Sequence, residues 1–197
     1  MKFLTIMIGL AVSLTAPLNA ASLPASGNLK FDVIRKGKDI GDHSFKFNGS
    51  ANAFSVKVTT NIVAKIPLIQ IIAYSFQHSS VEMWRNGKLQ KLTSTTNDDG
   101  TPNQLNSGPS LNLPASLWNV DIVRRKKLLN TIDGKIMSVR AADLGSEMVP
   151  TKRGKIQARH YRISGELKRD LWYDANDALV RVSFKADDGS TVTYVRK

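Results

Sequence analysis

Cysteine is missing from all 197 residues. Its absence excludes disulfides, thiol chemistry and cysteine-based zinc sites, so stability must come from packing. Acid is scarce beside base: Asp and Glu total 16 against 28 Lys and Arg, a formal net charge of +12. Histidine is scarcer still, with three residues, His43, His78 and His160. There is no His-Glu-x-x-His spacing, Gly-x-Ser-x-Gly elbow, phosphate loop or dinucleotide fingerprint, so no motif assigns an enzyme class. Gly37 and Gly41 bracket Lys38-Asp39-Ile40 in a strand–turn–strand setting, not ahead of a helix. They read as glycines for a tight turn and a close backbone approach.

What is present begins with an export pattern. Lys2 is followed by an apolar run from Phe3 to Leu14, broken only by Thr5, Gly9 and Ser13. Small residues follow at Ala16, Ala20 and Ala21, the layout of a secretory signal peptide over 1–20. The run is shorter than the roughly 20 apolar residues of a membrane span. The expectation is cleavage after Ala20, no transmembrane span afterwards and, with no cysteine at the cut, no lipid anchor. Residues 21–28 read as a flexible leader and 29–197 as a single domain long enough to bury its own core. An exported cation meets lipid headgroups and cell-wall polymers, so nucleic acid is not an expected partner. The dispersed basic residues also suit a solvated strand face.

From Leu29 onward the pattern is period two. Phe54, Val56, Val58, Thr60 and Ile62 alternate with polar residues, and Leu68, Gln70, Ile72, Tyr74, Phe76, His78, Ser80, Glu82 and Trp84 share one face of the next run, 68–85, which is long enough that a bend is expected at Ser79-Ser80. Asn86-Gly87 is the strongest hairpin signal. Residues 97–112 are polar and rich in Gly, Pro, Asn and Ser, and read as a long loop. Helix is expected over 115–129, with Arg124–Lys127 near its C-terminus. Four more strands follow after residue 155, separated by turn chemistry. The fold class is therefore mainly β: a strongly curved antiparallel sheet, an open barrel or spiral, with one short α-helix.

Candidate chemistry is thin. His43, His78 and His160 with Glu82 form the best set for a hydrolase or a metal-dependent enzyme, since imidazoles on adjacent strands can hold zinc. Half-buried strand histidines with local hydrogen bonds are the competing reading, and no metal or other cofactor is predicted. Trp84, Trp118 and Trp172 read as core residues or as a stacking platform. The stretch 62–73 is apolar on both faces, which a one-sided antiparallel sheet does not need. Either the 115–129 helix covers the second face, or that face meets a ligand, a membrane or a partner. The candidate ligand-binding residues are Ile69, Ile71, Tyr74, Phe76, Trp84 and Trp118.

Several segments occur together in order: Gly37–His43, Tyr74–Arg85, Thr96–Gly100, Leu117–Asn119 and His160–Asp174. As a set they resemble a family of exported Gram-negative bacterial proteins classed as a domain of unknown function. The chain also loosely resembles periplasmic β-spiral and lipoprotein-carrier-like folds, which wrap a curved sheet around a helix or a hydrophobic groove. The resemblance implies a periplasmic cell-envelope protein and brings no catalytic residues. The expected function is non-enzymatic: binding a lipid or other amphipathic ligand, or an envelope protein, on the concave face of the sheet.

Overall fold

A computed structural model describes Leu23, Pro24 and residues 26–66, 69 and 71–197. The predicted signal peptide lies outside the described residues. The alternating segments become thirteen strands: β1 (Asn28–Arg35), β2 (Lys38–Ser50), β3 (Ala53–Lys65), β4 (Ile72–Arg85), β5 (Lys88–Asp98), β6 (Thr101–Ser107), β7 (Leu113–Pro114), β8 (Lys127–Leu129), β9 (Ile136–Thr151), β10 (Gly154–Gly165), β11 (Arg169–Tyr173), β12 (Leu179–Lys185) and β13 (Thr191–Arg196). They form one sheet in the order β6-β5-β4-β3-β2-β1-β13-β12-β11-β10-β9-β8-β7. Two meanders are thus joined where the first strand pairs with the last, Phe31 opposite Arg196 and Val33 opposite Tyr194. The sheet is mainly antiparallel and does not close into a barrel. Its far ends meet through side chains: Ser94 Oγ donates to the Thr131 carbonyl at 2.6 Å. Leu105 of β6 packs over Gly134.

One face of the sheet is the core. Leu29, Phe31, Phe45, Val56, Val58, Leu92, Leu171, Tyr173, Leu179 and Val182 are buried there in one cluster. Each large apolar side chain so buried contributes about 1.5–3 kcal/mol. The opposite face is mostly solvated, except where Val149, Ala158, Trp172 and Val180 form a small second cluster on β9–β12. The tip of the β9–β10 hairpin is tied across to the terminal strands. Lys152 N–H donates to the Arg196 carbonyl at 2.9 Å, and Lys152 and Lys197 both pair with Asp32.

Turn chemistry sets the register. Lys36-Gly37 and Asn86-Gly87 both have positive φ at the two turn positions (50° and 75°, 48° and 70°), the mirror-image turn that matches strand twist. Gly41 (φ 148°) lies so close to β3 that an added Cβ would stand 1.9 Å from the Asn61 carbonyl oxygen.

Three expectations are corrected. First, no α-helix forms over 115–129: that segment holds a 3-10 helix, Val120–Arg124, capped by Asn119 Oδ1 accepting from the Asp121 N–H. Leu117, at φ 73°, turns the chain before it and Arg125 is extended after it. Burial of Trp118 and Ile122 in the core, and pairing of Leu128 and Leu129 in β8, override the local helical preference. Second, the polar stretch 97–112 is not one loop. Asp99-Gly100 turns it, at φ 49° and 89°, into β6 on the edge of the sheet. Pro102 is tolerated there because an edge strand need not donate every N–H. Third, the suspected bend at Ser79-Ser80 is absent; the register shifts lie at Ala64/Lys65 and Met83/Trp84. Ahead of β1, Phe47 N–H donates to the Gly27 carbonyl at 2.9 Å, and Leu23 packs on the core.

Candidate functional site

Strand register arranges the inner face of β2–β5 in rows. Phe47, Val56, Glu82 and Leu92 form one row, and Phe54, Trp84 and Leu89 the next toward the end we term closed. In the opposite direction come Phe45, Val58, Ser80 and Ser94, then His43, Thr60, His78 and Thr96, then Ile62 and Phe76. The candidate residues are therefore spread along one face from end to end.

The closed end is solid. Trp84 and Trp118 are each 4% exposed. Their rings meet edge to face at 5.7 Å, and Phe54 lies against both. Trp118, carried by the turn before the 3-10 helix, packs at this closed end with Phe54 and Trp84, not over 62–73 where the expected helix was to lie. Both indole N–H groups donate to the same oxygen, Glu82 Oε2, at 2.9 Å. Glu82 is fully buried and its Oε1 has no partner. Burial pushes its pKa up, against the opposing pull of the nearby Ser116 side chain and of the Trp118 and Trp84 indole N–H groups.

The middle is a polar ladder. His43 Nδ1 is 2.7 Å from Thr60 Oγ1, and His78 Nδ1 is 2.8 Å from Thr96 Oγ1. Burial, then the nearby His78, lowers the His43 pKa to about 3, and burial lowers that of His78. Both rings are neutral hydrogen-bonding elements at physiological pH. His160 is elsewhere, on the other face of β10, stacked on Trp172 at 4.1 Å and 2.9 Å from Asp170 Oδ1. The four residues of the enzymatic reading are thus not brought to one place. Among the described residues no group of three or more His, Asp or Glu is positioned to hold a metal ion.

The open end differs in kind. Val33, Ile62 and Val192 are buried as a floor, with Ile40, Tyr74, Phe76, Phe184, Ala186 and Tyr194 only half-buried around them. Ile69 and Ile71, between β3 and β4, and Ile72 at the start of β4 are 60%, 58% and 57% exposed. Tyr74 hydroxyl donates to Asp98 Oδ1 at 2.8 Å. Tyr74 and Tyr194, from β4 and β13, come near enough to interact electrostatically across the curl of the sheet. So Ile69, Ile71, Tyr74 and Phe76 gather at the open end, while Trp84 and Trp118 belong to the filled one. Within 62–73, Ile62 and Ala64 are buried, whereas Val63, Ile66, Ile69, Ile71 and Ile72 are exposed.

The face also carries residues not singled out from sequence: Arg169, Phe184 and Tyr194. Arg169 shares its strand parity with the core residues Leu171 and Tyr173, so a cation at an inward position of β11 was the available signal. Its guanidinium lies 4.0 Å over the Phe184 ring. By contrast, the groove on the outer face beside Thr59, Gln77, Asn97 and Gln104, of about 370 Å³, is polar.

Residues 31–197 match the family described as Domain of unknown function (DUF6134). The chain belongs to that family. The match begins within β1 and spans every later strand, so the rows, the filled end and the open end all lie within the family's extent. No curated protein and no solved structure matches the chain.

Proposed function

We propose that this is an exported, periplasmic cell-envelope protein that binds an apolar or amphipathic ligand at the open end of its inner sheet face, without catalysing a reaction. One observation carries the reading: the two ends of the same face are packed in opposite ways. At the closed end every large ring is buried against another. At the open end a half-buried apolar floor is bordered by exposed isoleucines that cover nothing in the described chain. An apolar surface of this sort, beside a polar rim such as Asp98 and Lys65, marks a place for an apolar occupant.

The test is a titration of the full mature chain with the neutral fluorophore N-phenyl-1-naphthylamine, alongside native mass spectrometry after gentle purification. Saturable binding is expected. Ile71→Asp, at an exposed position, should weaken it about tenfold, the equivalent of removing ~1.4 kcal/mol of apolar contact. Absence of saturable binding, with a native mass equal to that of the chain alone, would refute the reading.

A further inference from the structure

The open end holds a cation, Arg169, that has no carboxylate partner among the described residues. Arg169 projects from β11 onto the inner face, half-buried. A guanidinium has five donors. Here one hydrogen bond is made, from Nη1 to the Lys168 carbonyl at 2.8 Å. No carboxylate acts on it: burial lowers its pKa, and Tyr194 is the only opposing influence. Some other half-buried arginines are treated differently. Arg35 pairs with Asp188 at 2.9 Å and Arg196 with Asp174 at 3.1 Å, whereas Arg181, over the Trp172 ring on the outer face, is like Arg169 in having no carboxylate partner among the described residues. A half-buried guanidinium is rarely left without such a partner.

Its surroundings are equally short of acceptors. The Tyr194 ring is 5.8 Å from Phe184, and its hydroxyl has no hydrogen-bond partner among the described residues. Burial pushes the Tyr194 pKa up to about 12, so it remains a donor. The His43 ring also lies against Tyr194, tilted by 35° with centroids 4.9 Å apart, and its buried Nε2 has no partner among the described residues. Arg169, Phe184, Tyr194 and His43 thus form a continuous line of contacts along the open end. Around them lie the apolar groups Ile62, Phe76 and Val192. Of the acids at this end, Asp98 accepts from Tyr74 on the far strand, and Asp188 is paired with Arg35 and Lys36.

We propose that the open end binds a long-chain carboxylate, its head accepting hydrogen bonds from Arg169 and the Tyr194 hydroxyl and its tail lying along Phe184 and Phe76 toward Ile71 and Ile72. This rests on the amphiphile-binding reading above and names the head group. One guanidinium matches one negative charge. A carboxylate also takes the planar, bidentate geometry that arginine offers. A phosphate monoester, at about −1.5 to −2, would keep uncompensated charge beside apolar side chains.

Displacement of N-phenyl-1-naphthylamine from the full mature chain separates the alternatives. Laurate, 1-dodecanol and a monoanionic dodecyl phosphodiester carry comparable tails and different heads. Laurate is expected to compete at least tenfold better than dodecanol, since a hydrogen bond to a charged group contributes about 1.5–3 kcal/mol. Arg169→Met should remove that advantage, read as the ratio of the laurate and dodecanol competition constants, and Arg169→Lys should restore part of it. Equal competition by laurate and dodecanol in the unmodified protein overturns the proposal, and this comparison needs no variant. Equal competition by the phosphodiester overturns the carboxylate assignment. If the fluorophore itself does not bind, the fault lies in the amphiphile-binding reading instead.

Discussion

Glu82 offers a direct test of how the filled end is held together. Its Oε2 accepts both the Trp84 and Trp118 indole N–H groups, while Oε1 has no partner. Replacement by leucine keeps the bulk and removes the acceptor. Each orphaned buried donor costs about 1–3 kcal/mol, partly offset because a buried carboxyl is no longer desolvated. The net expectation for Glu82→Leu is a loss of about 2–4 kcal/mol, large beside the ~5–15 kcal/mol stability of an ordinary domain. Glu82→Gln keeps the acceptor and imitates the neutral acid. It should cost less than about 1 kcal/mol at pH 5.

Glu82 also predicts a pH dependence with a definite sign. Its folded pKa is raised by burial above the unfolded value. Above the unfolded pKa, the folded state binds the proton more tightly than the unfolded state. Stability from this group therefore falls as pH rises, until the folded pKa is passed. Glutamine lacks that loss, so Glu82→Gln should gain on the wild type from pH 5 to pH 9. Urea unfolding followed by tryptophan fluorescence measures both effects. A leucine variant within ~0.5 kcal/mol of wild type, the spread of an ordinary surface substitution, would refute the acceptor argument. A wild-type-minus-glutamine difference independent of pH would refute the burial argument.

Two further outcomes follow from the same geometry. His43, lowered to about 3, carries the opposite sign: the unfolded state binds its proton first, so stability is lost as pH falls from about 6.5 towards 3. His43→Gln should flatten that acid limb by up to ~1.4 kcal/mol per pH unit in urea titrations between pH 4 and 7; an unchanged slope would contradict it. Gly41→Ala places a Cβ 1.9 Å from the Asn61 carbonyl oxygen and should cost more than ~2 kcal/mol, whereas Gly37→Ala, with open space at its turn, should cost about 1–2. Thermal melts of the two variants side by side check the contrast, and equal losses would show that the β2–β3 approach is not limiting.

Much of the sheet was legible because a strand's side-chain period is two and one face is buried. Phe54 to Ile62 and Ile72 to Trp84 could be assigned to faces directly, and Asn86-Gly87 fixed their hairpin. Asp99-Gly100 carried the same turn signal, but the polar composition around it hid β6: an edge strand buries little, so its pattern is faint. The helix over 115–129 was misread because the fate of Trp118 depends on Glu82 and Trp84, 36 and 34 residues earlier in the chain. No local pattern contains that pairing.

The candidate site divides along the same line. Alternation alone placed Tyr74, Phe76, His78, Glu82 and Trp84 on one face. It could not say that the row of Trp84 would be plugged by Trp118 while the row of Phe76 stayed half-open, because both depend on which distant segment folds against them. Nor could it bring Arg169 and Tyr194 beside His43, since that needs β1 to pair with β13 across the whole chain. Sequence by itself determined the period, the turns and the facing of each strand, all of which are local. Only the tertiary structure decided which end of the sheet is filled and which is open, because burial is settled by residues far apart in the chain.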